Sequence, residues 1–185
     1  MKNLAIFASG GGSNAEEIIR HFKTSTKGRV NLIVSNRPDA YVLERAKNHG
    51  IPALVHSTND TENGQLEKWM EDNNIDWIIL AGYLKKIQPS LIEKFPNRIV
   101  NIHPALLPNY SGKGMYGMHV HKAVVENNEL ESGITIHYVN ENYDEGNIIE
   151  QHRCSIKPEM TADEVQKEVL KLEHKYFAKA IEKLL

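Results

Sequence analysis

Leu4-Ala5-Ile6-Phe7-Ala8, then Ser9-Gly10-Gly11-Gly12-Ser13-Asn14, then Ala15, Ile18, Ile19 and Phe22 at helical spacing: this opening stretch decides the fold. The apolar run is short enough to be a strand buried on both faces of a parallel sheet. The glycines make a turn, and the repeat that follows is one face of a helix. Strand, glycine turn and helix aim the free N–H groups of the helix start at whatever lies above the strand. Such helix N-termini bind phosphate through those groups and the helix dipole. The Ser13 hydroxyl and Asn14 amide add donors. A glycine turn with no ligand is the plain alternative.

Working outward, strands and helices alternate. Val30-Asn31-Leu32-Ile33-Val34 is a second strand, and Ala40, Leu43 and Ala46 stripe a helix that stops at Gly50. Pro52-Ala53-Leu54-Val55 is a third strand. Leu66, Trp69 and Met70 mark a further helix, and Trp77-Ile78-Ile79-Leu80 a buried strand. The expected fold is therefore a single α/β domain: a mostly parallel, twisted sheet with helices on both faces and a Rossmann-like N-terminal half. Gly10-x-Gly12-x-x-Ala15 formally fits a dinucleotide fingerprint, which also wants an acid at the end of the second strand. Ser35-Asn36-Arg37-Pro38 offers none, although Arg37 could face a 2′-phosphate, so an NADP-binding module stays as a remote alternative.

Ile99-Val100-Asn101-Ile102-His103 reads as a strand stopped by Pro104, with Asn101 and His103 on one face. An amide donor beside a group that exchanges protons near neutrality suits acyl transfer. The plain reading has Asn101 capping the strand and His103 packed beneath the next loop. From Pro104 to Gly117 there is no period, which suits a lid or binding loop. His119-Val120-His121 opens a helix. Two histidines two apart on a helix face different sides, and no cysteine or close carboxylate completes a metal set.

Ile134 to Val139 and Asn147 to His152 form an antiparallel hairpin at the sheet edge, with Asp144 in the turn between them, where aspartate before glycine is ordinary. Thr161 and Glu164 make a capping box for a long C-terminal helix with the stripe Val165, Val169, Leu172, Tyr176, Ala180 and Leu184. Glu173 falls inside that stripe. A carboxylate there needs a partner, either a structural lysine or a ligand's hydroxyls.

The 185 residues suit one domain, and a net charge of −2 shows no basic field for nucleic acid. No apolar run is long enough for a membrane span, and Cys154 is the only cysteine, so a cytoplasmic location is the economical reading. Homodimerisation is left open.

Taken together these segments resemble the folate-dependent formyltransferases. The resemblance is carried by Ser9 to Asn14, Ser35-Asn36-Arg37, Leu43 to Ala46, Leu80-Ala81-Gly82-Tyr83-Leu84, Asn101-Ile102-His103-Pro104-Ala105-Leu106-Leu107-Pro108, Gly117-Met118-His119-Val120-His121, His137-Tyr138-Val139, Asp144-Glu145-Gly146 and Glu173-His174. It implies that 10-formyltetrahydrofolate, as co-substrate and without a metal, gives its formyl group to the amine of phosphoribosylglycinamide in purine biosynthesis. It implies a catalytic group of Asn101, His103 and Asp144, with Asp144 raising the His103 pKa. Gly11, Gly12, Ser13 and Asn14 would hold the phosphate and Glu173 the ribose. Leu84, Lys85, Lys86, Ile87, Asn101, Val139 and Asp144 would take the folate, and Lys85 stands where relatives often carry arginine. Residues 1–100 would form the phosphate and nucleotide half and 101–185 the catalytic and folate half. Another formyl acceptor in the same family, or water as in formyltetrahydrofolate hydrolase, is the alternative.

Overall fold

The apolar runs become one seven-stranded sheet in a computed structural model that describes residues 1–185. In chain order the elements are β1 (Lys2–Phe7), α1 (Ser13–Phe22), β2 (Gly28–Ser35), α2 (Val42–Asn48), β3 (Ala53–Val55), α3 (Thr58–Glu62), α4 (Gln65–Asp72) and β4 (Trp77–Leu80). Then come α5 (Pro89–Lys94), β5 (Ile99–His103), α6 (Met118–Glu126), β6 (Glu131–Tyr138), β7 (Ile148–Ser155) and α7 (Ala162–Leu184). The strand order is β3-β2-β1-β4-β5-β6-β7, parallel through β5, with β6 and β7 antiparallel. The chain steps outward from β1 to β3 and returns to β4 on the other side of β1. That reversal opens a crevice above the carboxyl ends of β1 and β4, where such sheets take ligands.

Strand alternation divides the interior in two. Leu4, Ile6, Val100 and Ile102 pack with α1, α2, α6 and α7 on one face. Ala5, Phe7 and Ile99 pack with α4 and α5 on the other. Asn101 and His103 share the parity of Ile99, so they emerge on the α4–α5 face. No helix is long and apolar enough to cross a membrane.

Two short helices add to the expected elements, and one expectation needs correction. The short helices α3 and α5 escape apolar periodicity, because α3 rests on a capping box between Ser57 and Asp60 and α5 on Pro89 in its first turn. The buried stripe of α7 turns further than expected. Its deep residues are Val165, Val169, Phe177, Ala178, Ala180 and Ile181, while Leu172, Tyr176 and Leu184 are only partly buried. Tyr176 instead stacks on His152, with ring centroids 3.6 Å apart. Glu173, one turn from both Val169 and Phe177, thereby sits at the centre of the buried arc. The capping box of Thr161 and Glu164 forms as expected.

Candidate active site

A cleft of about 680 Å³ crosses the carboxyl edge of the sheet. It is lined by Gly11, Ser13, Asn14, Leu84, Lys85, Lys86, Ile87, Asn101, His103, Val139, Asp144 and Glu173. Of the expected site residues only Gly12 is not in its wall. Gly12 is the left-handed N-cap of α1, with φ 68°, and a Cβ there would stand 2.6 Å from Val42 Cγ2. Packing against α2 is by itself enough to require glycine here.

The first bond inside α1 runs from Glu16 N to Gly12 O at 2.9 Å. The N–H groups of Ser13 and Asn14 precede it and have no intrahelical acceptor. One N–H of the Asn14 side chain is already engaged. Its Nδ2 donates to Glu173 Oε2 at 2.5 Å, which identifies the partner that the carboxylate in the stripe requires. Burial raises the Glu173 pKa, and the Asn14 bond pulls only partly against it.

On β5 and β6 the histidine tautomers can be read from the acceptors. His137 Nδ1 lies 2.9 Å from the Tyr138 carbonyl, which can only accept, so Nδ1 carries the hydrogen. His137 Nε2 then accepts from Asn101 Nδ2 at 3.1 Å, which fixes the Asn101 amide and leaves its second N–H free. By the same logic His103 Nε2 donates to the Tyr110 carbonyl at 2.8 Å. His103 Nδ1 therefore faces Asp144 Oδ1, at 3.6 Å. That is a charge-to-ring distance, too long for a hydrogen bond.

Asp144 does more than shape a turn. Its Oδ1 is also 3.7 Å from His137 Nε2, and its Oδ2 accepts from Gly112 N at 3.2 Å. Its φ of 57° suits aspartate or asparagine. Asp144 and the Tyr110 carbonyl each raise the His103 pKa, but burial is the larger effect and leaves it below the ordinary imidazole value. His137 is lowered chiefly by burial as well. His121, buried in the cleft wall, is pushed down to about 4 by burial and by His103.

At the other end Leu84 N donates to Ser9 Oγ (2.9 Å), and that hydroxyl donates to Asn36 Oδ1 (2.5 Å). Ile87 and Val139 belong to the α4–α5 core, and Lys86 Nζ lies 5.7 Å from the centre of the Tyr143 ring. The loop from 112 to 117 lines the cleft, as a binding loop should. Sequence reasoning gave no role to His121, His137, Tyr143, Gln166 or Leu170, all of which line it. Gln166 and Leu170 stand two turns and one turn before Glu173, so the helical period anchored on Glu173 would have found them. Arg37 is not brought to the cleft and instead forks onto Asp39 at 3.1 and 2.8 Å. His119 packs edge-on against Tyr116, and no group of three or more His, Cys, Asp or Glu is placed to hold a metal ion.

Residues 2–181 match the formyl transferase family. The sequence is 42% identical to a chloroplastic phosphoribosylglycinamide formyltransferase of Arabidopsis thaliana, over 97% of this chain and 64% of that one. It is 34% identical to the phosphoribosylglycinamide formyltransferase of Bacillus subtilis (strain 168), over 100% of this chain and 95% of that one. The chain spans less than two thirds of the two plant relatives, 64% and 61% of their lengths. Among solved structures, glycinamide ribonucleotide transformylase 1 from Geobacillus kaustophilus superposes with a TM-score of 0.91 at 35% identity, covering 100% of this chain and 99% of that one.

Proposed function

Because the chain belongs to the formyl transferase family, we propose that it moves the formyl group of 10-formyltetrahydrofolate onto the amine of phosphoribosylglycinamide. The products are formylglycinamide ribonucleotide and tetrahydrofolate, in a step of purine biosynthesis. The observation that carries this reading is the single cleft. It joins the α1 helix start and Glu173, suited to a phosphate and a ribose, to residues 84–87 and 139–144, suited to a flat heterocycle, with Asn101, His103 and Asp144 on its wall.

In this reading the amine attacks the formyl carbon and the carbonyl electrons move onto oxygen. The free N–H of Asn101 and an Nδ1–H on protonated His103 stabilise that oxyanion. The carbon–nitrogen bond to the folate then breaks, its electron pair staying on the folate nitrogen, which gains a proton from His103 directly or through water. The amine gives up its proton to solvent or to Asp144. Asp144 favours the imidazolium that burial opposes. The whole chain, 1–185, is one catalytic domain, and Asn14 and Glu173 tie its two halves together across the nucleotide site. We place the reaction in the cytoplasm on the composition.

The test is incubation with 10-formyltetrahydrofolate, with and without phosphoribosylglycinamide, while tetrahydrofolate is followed. Acceptor-dependent release is expected. Acceptor-independent release would make the protein a hydrolase, and no release would make it a non-catalytic binding module.

A further inference from the structure

The phosphate loop is held from behind by α2, through contacts that lie outside the cleft. Val42 N donates to the Gly10 carbonyl at 3.1 Å, and Arg45 Nε donates to the Gly11 carbonyl at 2.8 Å. The Arg45 guanidinium is itself fixed. Its Nη1 meets Glu16 Oε2 at 3.2 Å, and its plane lies 5.1 Å from the centre of the Tyr41 ring. Glu16 is buried and also meets His49 Nε2 (3.0 Å) and Arg20 Nε (2.8 Å). Burial pushes the Glu16 carboxyl up, but the bonds from His49 and Arg45 outweigh it and leave it below the ordinary carboxylate range.

Arg45 is not in the cleft wall, yet its bond sets a property of that wall. A trans peptide is planar, with its N–H pointing opposite its C=O. Anchoring the Gly11 carbonyl on α2 therefore aims the Gly12 N–H away from α2, toward the side on which Gly11 and Ser13 line the cleft. A peptide between two glycines has little intrinsic preference for one orientation, so the anchor decides it.

We propose that Arg45 is a positioning residue for the ribonucleotide phosphate, acting by locking the Gly11–Gly12 peptide so that its N–H is a preset donor beside the α1 helix start. This rests on the reading of that loop as the phosphate site. The role belongs to the planar fork: a lysine ammonium keeps the charge but cannot hold the Gly11 carbonyl and Glu16 in one plane.

Calorimetric titration of the wild type with phosphoribosylglycinamide and with its dephosphorylated riboside comes first, followed by Arg45→Met and Arg45→Lys. The methionine keeps the apolar stem and the lysine keeps the charge. Both variants should bind the ribonucleotide about 10-fold more weakly, as expected for loss of one donor to a charged group. The riboside affinity, kcat and the KM for 10-formyltetrahydrofolate should stay within about twofold. If Arg45→Lys binds as the wild type does, charge alone suffices and the proposal is overturned. If both substrates weaken together, the role is structural and the proposal is overturned as well. A wild type that does not distinguish ribonucleotide from riboside refutes the phosphate reading itself. A wild type that does, with undisturbed variants, refutes Arg45 alone.

Discussion

Asp144→Asn separates the two things this residue could be doing, because asparagine keeps the left-handed backbone and an oxygen for Gly112 N while losing the charge. The carboxylate oxygen lies 3.6 Å from His103 Nδ1, and the two side chains are only 12% and 4% exposed. At an effective dielectric between roughly 20 and 80, a unit pair at that separation is worth roughly 1–5 kcal/mol. That corresponds to a loss of roughly 10- to 10³-fold in the imidazolium population at fixed pH. The sign follows from the opposing causes already present. Burial lowers the His103 pKa and Asp144 resists it, so removing the charge lets it fall further. The new amide also turns N–H dipoles toward Nδ1 where a negative oxygen stood, which favours an unprotonated Nδ1. Activity that needs the imidazolium should therefore be lost at lower pH as pH rises, and kcat at neutral pH should drop about 10²-fold, within the range of general acid–base catalysis. The assay is kcat against pH from about 5 to 9, with thermal melts to show that the variant folds. His103→Ala should be at least as damaging, and the double variant little worse than the worse single, since the two act as one unit. A folded Asp144→Asn protein with near-normal turnover between about pH 6 and 9 would remove Asp144 from the mechanism and leave Asn101 and His103 to act without it.

Three further outcomes follow from the geometry. Glu173→Gln keeps an oxygen for Asn14 but loses the charge that burial disfavours; its melting temperature should exceed wild type at pH 8 and converge with it near pH 4, where the carboxyl is protonated in both states. Its ribonucleotide KM should rise about 10-fold or more, and an unchanged KM would release Glu173 from the ribose. Gly12→Ala should cost about 2–4 kcal/mol in urea unfolding, about 1 for a side chain at φ 68° and the rest from pressing on Val42. Adding Val42→Ala should relieve the pressure but not the backbone cost, and a Gly12→Ala protein as stable as wild type would contradict the packing described. A folate analogue at 100 times its Kd should stabilise by about 2.7 kcal/mol, whereas NADPH should give no shift, because Arg37 is engaged by Asp39 and no acid ends β2. The reverse pattern would overturn the leading reading.

What the sequence makes legible here is what repeats along it. Alternation and helical period locate the strands, the long helices and the shared face of Asn101 and His103, and the strand–glycine–helix opening locates the loop at the sheet reversal. What it hides is set by contacts between distant segments or by drift. The i+4 drift along α7 moves the deep face from Leu172 and Tyr176 to Phe177 and Ile181, which only a partner surface can select. The partner of Glu173 is 159 positions away, so neither stretch announces the other. The net direction of the His103 shift depends on burial, and nothing in Asn101-Ile102-His103-Pro104 reports how deeply the ring sits. His137 stands in the sequence as a strand residue and in a segment of the family resemblance, but its contact with Asn101 depends on β5 and β6 pairing the two directly opposite each other.

The two faces of the sheet also explain why these perturbations should separate cleanly. The proposed nucleotide residues hang on the α1–α2–α7 core, through Gly12 against Val42 and Asn14 against Glu173. The proposed folate residues hang on the other core, through Ile87, Val139 and the edge of Tyr83 against Phe7. β5 belongs to both, sending Val100 and Ile102 to one side and Ile99 to the other. It is bonded along both edges, to β4 and to β6, so Asn101 and His103 are held by the sheet itself. Asp144 is carried differently, on the connection between β6 and β7, and reaches the site through its contact with Gly112 of the opposite loop. A packing defect on either face should therefore shift the KM of one substrate, whereas kcat should respond to β5 and to whatever moves Asp144 relative to it.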